Sequence, residues 1–156
     1  NKIMQKKGPP FAAYFSVKMP DTWTPTFDLS DLQKVRRINL NAEQEIDFAI
    51  KKIQSRSAGE YMRNKVPTIL AKTFYGLDYN AMRKTSHFKV ENSCIGCGLC
   101  AKNCPVSAIE IRNKKPVWVK DRCVMCLSCL HHCPKFAIQY ENRTKKHGQY
   151  TNPNVK

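Results

Sequence analysis

Eight cysteines set the terms on which this chain can fold. The run C-I-G-C-G-L-C-A-K-N-C-P carries Cys94, Cys97, Cys100 and Cys104, and 29 residues further on C-V-M-C-L-S-C-L-H-H-C-P carries Cys123, Cys126, Cys129 and Cys133. No cysteine lies outside these runs, and each reads C-x2-C-x2-C-x3-C-P. Two-residue spacers wrap a tight loop, so that three successive thiolates reach three irons of one cubane while the intervening backbone N–H groups point at its sulfurs. The fourth cysteine lies four residues beyond the third, about 6 Å of rise on a helical turn, and so points away from the first cubane. Pro105 and Pro134 end those turns, because proline has no N–H to continue them. The predicted ligand sets therefore cross: Cys94, Cys97, Cys100 and Cys133 for one [4Fe-4S] cluster, and Cys123, Cys126, Cys129 and Cys104 for the other. Because Cys100 and Cys104 leave one short turn for different clusters, as do Cys129 and Cys133, the two clusters must be neighbours.

Two other uses of cysteine compete with this reading. Disulfides fit poorly, since eight thiols crowded into two 11-residue runs with no signal peptide ahead suit a reducing compartment. Two zinc sites of four cysteines each are the stronger rival, but structural zinc usually takes two C-x2-C pairs separated by a longer loop. The motifs resemble those of the bacterial two-cluster ferredoxins, matching in all eight cysteines and both prolines. That resemblance implies an α+β, ferredoxin-like module with a pseudo-twofold repeat, two [4Fe-4S] clusters and one-electron transfer. The repeat is visible in the residues: F-K-V-E-N-S-C aligns with V-W-V-K-D-R-C ahead of the clusters, and C-P-V-S-A-I-E-I with C-P-K-F-A-I-Q-Y after them. Each half is expected to run strand, cluster loop, helical turn, strand. Gly96 and Gly98 correspond to Met125 and Leu127, so glycine's freedom at positive φ is replaced by apolar bulk in the second half. His131 and His132 precede Cys133 and fit either a polar surface pair or hydrogen bonds to a cluster sulfur, the surface pair being the simpler reading. With every ligand position already filled by cysteine, neither is a metal ligand.

The module occupies about a third of the chain. Residues 2–7 read as the end of a helix closed by Gly8-Pro9-Pro10, which suggests a fragment of something longer. Residues 11–19 form an apolar, aromatic run suited to a buried strand of an α/β sheet, and residues 20–25 form the loop after it. In open α/β sheets ligands bind at that end, so Trp23 fits stacking on a planar group such as a flavin, although a lone Trp more often packs. A helix over 30–38 is expected, then a better one capped by Asn41 with Gln44 in a capping box. It would bury Ile46, Ile50 and Ile53, carry Glu43, Glu45 and Asp47 in its first turn and Lys51, Lys52 and Arg56 later, and stop at Gly59. Residues 60–75 are helical in pattern but interrupted at Pro67. This order, with M-P-D-x-W at residues 19–23, resembles the carboxy-terminal part of proteins that fuse a flavodoxin-like domain to a bacterial ferredoxin. The resemblance implies a partial flavodoxin-like segment over 1–59, a helical linker over 60–85, the cluster domain over 86–143 and a basic polar tail over 144–156. No Gly/Ser/Thr phosphate loop follows a strand here, so FMN would belong only to a part ahead of residue 1.

A formal charge of +15 is high for a ferredoxin resemblance, and two oxidised clusters with their thiolates remove only about four of those charges. The excess concentrates at Arg112, Lys114, Lys115, Lys120 and Arg122, and again at Arg143, Lys145 and Lys146. It reads either as solubilising surface or as a field that steers an acidic partner. The partner expected is a redox protein or flavin domain. No nucleic-acid motif accompanies the charge, and no apolar run approaches the roughly 20 residues of a membrane helix, so neither nucleic acid nor membrane is expected and a cytoplasmic location is. No nucleophile or general base is arranged for catalysis. Oxidoreductase activity would need a flavin domain or a partner chain, and a basic binding protein merely stapled by clusters is the rival from another class.

Overall fold

The structure, a computed structural model, describes residues 11–62 and 79–154. The chain divides into two compact units, one of Asn1–Pro20 with Gln33–Thr68 and the other of Asp21–Leu32 with Ile69–Lys156.

In the first unit, β1 (Ala13–Phe15) and β2 (Gly59–Tyr61) pair in parallel, Ala13 opposite Gly59 and Phe15 opposite Tyr61, with helix α1 (Leu32–Gln54) between them in sequence. Parallel strands need such a long connection, since no tight turn can reverse the chain twice. Phe15 stacks on Tyr61 at 5.0 Å, Phe48 meets Tyr61 edge-on at 5.6 Å, and Lys52 Nζ lies 5.5 Å from the Tyr61 ring centre. The apolar run 11–19 thus yields only three strand residues. Among the described residues one strand pairs with them, and they are half-buried where a buried strand is expected.

The helices expected over 30–38 and from Asn41 are one continuous element. No Gly or Pro interrupts Leu32–Gln54, and an interior Asn costs only a few tenths of a kcal/mol relative to good helix formers, so the ladder runs through Asn41 and no capping box forms. The helix stops before Gly59. Arg56 N–H donates to Ile53 O at 3.0 Å and Ser57 N–H to Lys52 O at 3.0 Å, the paired bonds of a Schellman end, with Arg56 in the left-handed position at φ 50°. Gly59 instead opens β2. The expected buried stripe is also displaced: Val35 and Ala42 are buried, while Ile50 and Ile53 are 45% and 63% exposed. Glu60 and Tyr61 are strand, not helix; the rest of the helix pair expected around Pro67, like the helix end at residues 2–7, lies outside the described residues.

The second unit holds the repeat. Strand β3 (Phe88–Val90), helical turn α2 (Leu99–Lys102) and strand β4 (Ile109–Arg112) are answered by β5 (Lys115–Trp118), α3 (Ser128–His131) and β6 (Ile138–Tyr140). β4 and β5 form a hairpin whose turn residues Asn113 and Lys114 both have positive φ, the backbone that matches strand twist in a two-residue turn. β3 pairs antiparallel with β6, Phe88 opposite Tyr140, so the first strand of one half closes on the last strand of the other. The core lies between these ribbons and includes Phe88, Ile109, Leu127, Leu130, Ile138 and Tyr140, with Trp118 stacked on Phe88 at 4.9 Å and Tyr140 edge-on to Phe88 at 5.2 Å.

Segments outside the repeat pack on its second half. His131 Nε2 lies 2.9 Å from Thr22 O, and Tyr150 N–H reaches His131 Nδ1 at 3.2 Å, which fixes the Nε2–H tautomer. Gln149 Nε2 donates to Leu130 O and Cys133 O, and Leu29 N–H to His147 O. Where a polar tail is expected, helix α4 (Thr144–His147) forms and buries Thr144 completely. Ahead of β3, Arg83 Nε donates to Cys123 O and Tyr140 Oη to Met82 O, so residues counted as linker also belong to this unit. Trp23 packs against the core beside Tyr140, their centroids 6.2 Å apart, which is the packing role rather than a free stacking platform.

Candidate metal centre

Two cavities open beside the helical turns, and the cysteines that line them come from both halves. Cys94, Cys97, Cys100 and Cys133 line one, with Ile111 and Pro116 as apolar wall; Cys123, Cys126, Cys129 and Cys104 line the other, with Ile109 and Trp118. Both are partly open to solvent. Among the described residues no three of His, Cys, Asp and Glu converge as they would on a single ion. A mononuclear zinc site needs four donors about 2.0–2.3 Å from one point, whereas a cubane holds its thiolates further apart around a void. Four cysteines around each cavity are a donor set that fits one iron-sulfur cubane in each.

The local backbone explains how each loop achieves this. Gly96, Gly98 and Ser107 have φ of 68°, 79° and 48°, and their repeat partners Met125, Leu127 and Phe136 have 53°, 54° and 46°. Both loops adopt one conformation, the second at a cost in left-handed backbone that L-residues normally avoid. Apolar burial offsets it, since Leu127 is 2% exposed in the core. Gly96 has no such alternative: a Cβ there would lie 2.5 Å from Lys114 O. After each loop the fourth cysteine accepts a backbone N–H, Ala108 to Cys104 Sγ at 3.2 Å and Ala137 to Cys133 Sγ at 3.3 Å. Both alanines are fully buried. Sequence reading missed this pair, although the repeat aligns an alanine four residues after each fourth cysteine.

Burial pushes the thiol of Cys129 up to about 12, and raises Cys100 and Cys123, desolvation being the largest cause and neighbouring cysteines adding to it. Without metal these three are neutral thiols at neutral pH, so iron must displace their protons. The histidines differ from the surface pair expected: His131 is buried, its pKa lowered mainly by desolvation, while His132 is exposed and turns its Nδ1 back to Ser128 O at 3.0 Å. His131 uses both ring nitrogens to hold flanking backbone.

Residues 93–137 match the family model of the 4Fe-4S dicluster domain. Over 23 residues the chain is 61% identical to Ferredoxin-1 of Rhodospirillum rubrum, an alignment covering 15% of this chain and 42% of that protein. The chain therefore spans less than half the length of that curated relative. No solved structure matches. Together with the paired cavities, these findings make residues 93–137 a 4Fe-4S ferredoxin-type module. Among the described residues no helix is long and apolar enough to cross a membrane.

Proposed function

We propose that this chain relays single electrons through two [4Fe-4S] clusters, one held by Cys94, Cys97, Cys100 and Cys133 and the other by Cys123, Cys126, Cys129 and Cys104. The observation that carries the reading is the lining of two adjacent cavities by these two crossed sets. Each cluster, when bound, supplies a one-electron couple whose potential depends on hydrogen bonds to sulfur and on solvent access. The chain's own residues supply both controls. Ala108 and Ala137 N–H groups donate to cysteine sulfur, and Pro116, Ile109 and Trp118 exclude water from the inner walls. Among the described residues Lys135 is the one charged side chain lining either cavity, which suits a reaction that moves no proton. The cysteine assignment, the module boundaries and a redox-protein partner all belong to this proposal. A flavin-linked partner rests only on the likeness of residues 19–23 and of the order of elements to flavodoxin fusions.

Anaerobic iron and sulfide analysis should give eight of each per chain, with visible absorption bleached by dithionite and restored on oxidation. Cys104→Ser should damage the centre held by Cys123, Cys126 and Cys129 and spare the other. Loss confined to the centre held by Cys94, Cys97 and Cys100 would refute the crossed assignment, and a colourless, iron-free protein after anaerobic reconstitution would refute the function.

A further inference from the structure

The repeat makes the two halves equivalent in backbone, but the rest of the unit does not treat them equally. Helix α3 buries Cys129, Leu130 and His131 beneath the segments around Thr22 and Gln149, whereas helix α2 buries no residue. Beside α2 three large apolar side chains face solvent: Ile95 at 59%, Leu99 at 39% and Ile111 at 37% exposure. All three line the first cavity, so the patch lies directly over Cys97 and its neighbours. At the 29-residue offset their counterparts are Val124, Ser128 and the buried Tyr140, and of these three Val124 alone is an exposed apolar side chain.

Cations rim the patch. Lys135 lines the same cavity, Lys114 abuts Gly96 so closely that no Cβ fits between them, and Lys102 lies one helical turn from Leu99. All three are exposed and, among the described residues, none is in an ion pair. Three of the four carboxylates in residues 86–156 already have partners: Glu91 with Lys145, Glu110 with Arg112, and Glu141 with His87. An exposed apolar centre with a polar rim is the anatomy of a protein interface, and a rim of one sign selects a partner of the other.

We infer that the face formed by Ile95, Leu99 and Ile111, with Lys102, Lys114 and Lys135 around it, is the docking port for an acidic redox protein, and that electrons cross at the cavity lined by Cys94, Cys97 and Cys100. This rests on the electron-relay reading. In the step one electron leaves the reduced iron-sulfur centre, which is oxidised by one unit, and enters a one-electron acceptor on the partner, which is reduced by one; no bond or proton is exchanged. The port and a strap, the segments around Thr22 and Gln149 that cover α3, divide the module into a reactive face and a covered one.

The test uses the reconstituted full chain and, as probe partner, a plant-type [2Fe-2S] ferredoxin, a small acidic redox protein. Binding is measured by calorimetry at about 0.01 M and about 1 M salt, where the Debye length falls from roughly 30 to 3 Å. The wild type should bind at low salt and weaken steeply at high salt. Lys114→Gln with Lys135→Gln should weaken low-salt binding on the order of tenfold, since rim charges act through steering. Leu99→Ser should weaken it at both salts, and Lys145→Gln with Lys146→Gln should change it less than about twofold, being outside the rim. Line broadening of amide signals by hexacyanochromate(III), a redox-inert trianion, should centre on residues 95–99 and 114. No low-salt binding, salt-independent binding, an equal loss in the Lys145/Lys146 variant or broadening centred elsewhere would overturn the port. Dithionite bleaching of the same samples reads the relay separately: intact reducible clusters with unmoved binding sink the port alone, and absent clusters sink the reading beneath it.

Discussion

Thr24 and Thr144 are both completely buried, yet their hydroxyls live in opposite circumstances. Thr144 Oγ1 donates to Gln139 Oε1 at 2.7 Å and accepts Tyr140 N–H at 2.9 Å, while Gln139 Nε2 reaches Phe136 O, so one hydroxyl completes a buried polar chain at the end of β6. Among the described residues Thr24 Oγ1 is the buried side-chain polar atom without a partner. A buried donor left unpaired costs about 1–3 kcal/mol, and that asymmetry predicts opposite outcomes for one substitution. Thr144→Val should destabilise the second unit by about that amount, because it orphans a backbone N–H and an amide oxygen. Thr24→Val should be neutral or stabilising by up to about 1 kcal/mol. Anaerobic thermal unfolding of the two variants checks the pair, and a Thr24→Val loss as large as that of Thr144→Val would contradict it. Neither role is legible in the sequence, where both are ordinary threonines beside a proline or a basic run; what separates them is which chain ends happen to meet there.

Helix α1 shows where local signals mislead. Asn41 and Gln44 carry a capping-box pattern, and Gly59 a stop, but a cap signal competes with a ladder that nothing interrupts, and the ladder wins. Arg56 then takes the left-handed closing position that glycine normally fills. Arg56→Gly should stabilise the first unit by about 1 kcal/mol, read as a higher unfolding midpoint; a lower midpoint would show that the Arg56 side chain contributes more than its backbone costs. In the cluster module the outcome was different. Cysteine spacing, the repeat and the order strand, loop, turn, strand were all readable, because each is imposed by fixed ligand geometry and repeated twice. The strap segments were not readable, since their contacts to α3 run between backbone carbonyls and a few polar side chains spaced more than a hundred residues apart in the case of Thr22 and His131.

At the scale of the molecule, the core of the second unit is built around the cavities, since Cys129 belongs to it and Cys100, Cys104 and Cys123 pack against it. Removing iron would leave those cavities without the group that ties the two cysteine runs together, so the module should lose its fixed packing on anaerobic chelation. Both tryptophans of the chain, Trp23 and Trp118, pack on this core, which makes their emission a report on this unit. The emission should shift to the red when iron is withdrawn with the thiols kept reduced, and return on reconstitution; an unshifted maximum would mean the protein scaffold stands without metal.

The pairing of β3 with β6 has a consequence for synthesis. Phe88 finds its partner only at Tyr140. At about 5–20 residues per second, the ribosome takes roughly 3–10 s to make the intervening stretch. The first cysteine run is complete at Cys104, 36 residues before Tyr140, so for roughly 2–7 s its strand has nothing to close against. A nascent chain of this kind is exposed to oxygen and to wrong thiol partners for seconds, and the protection it needs must come from the cell.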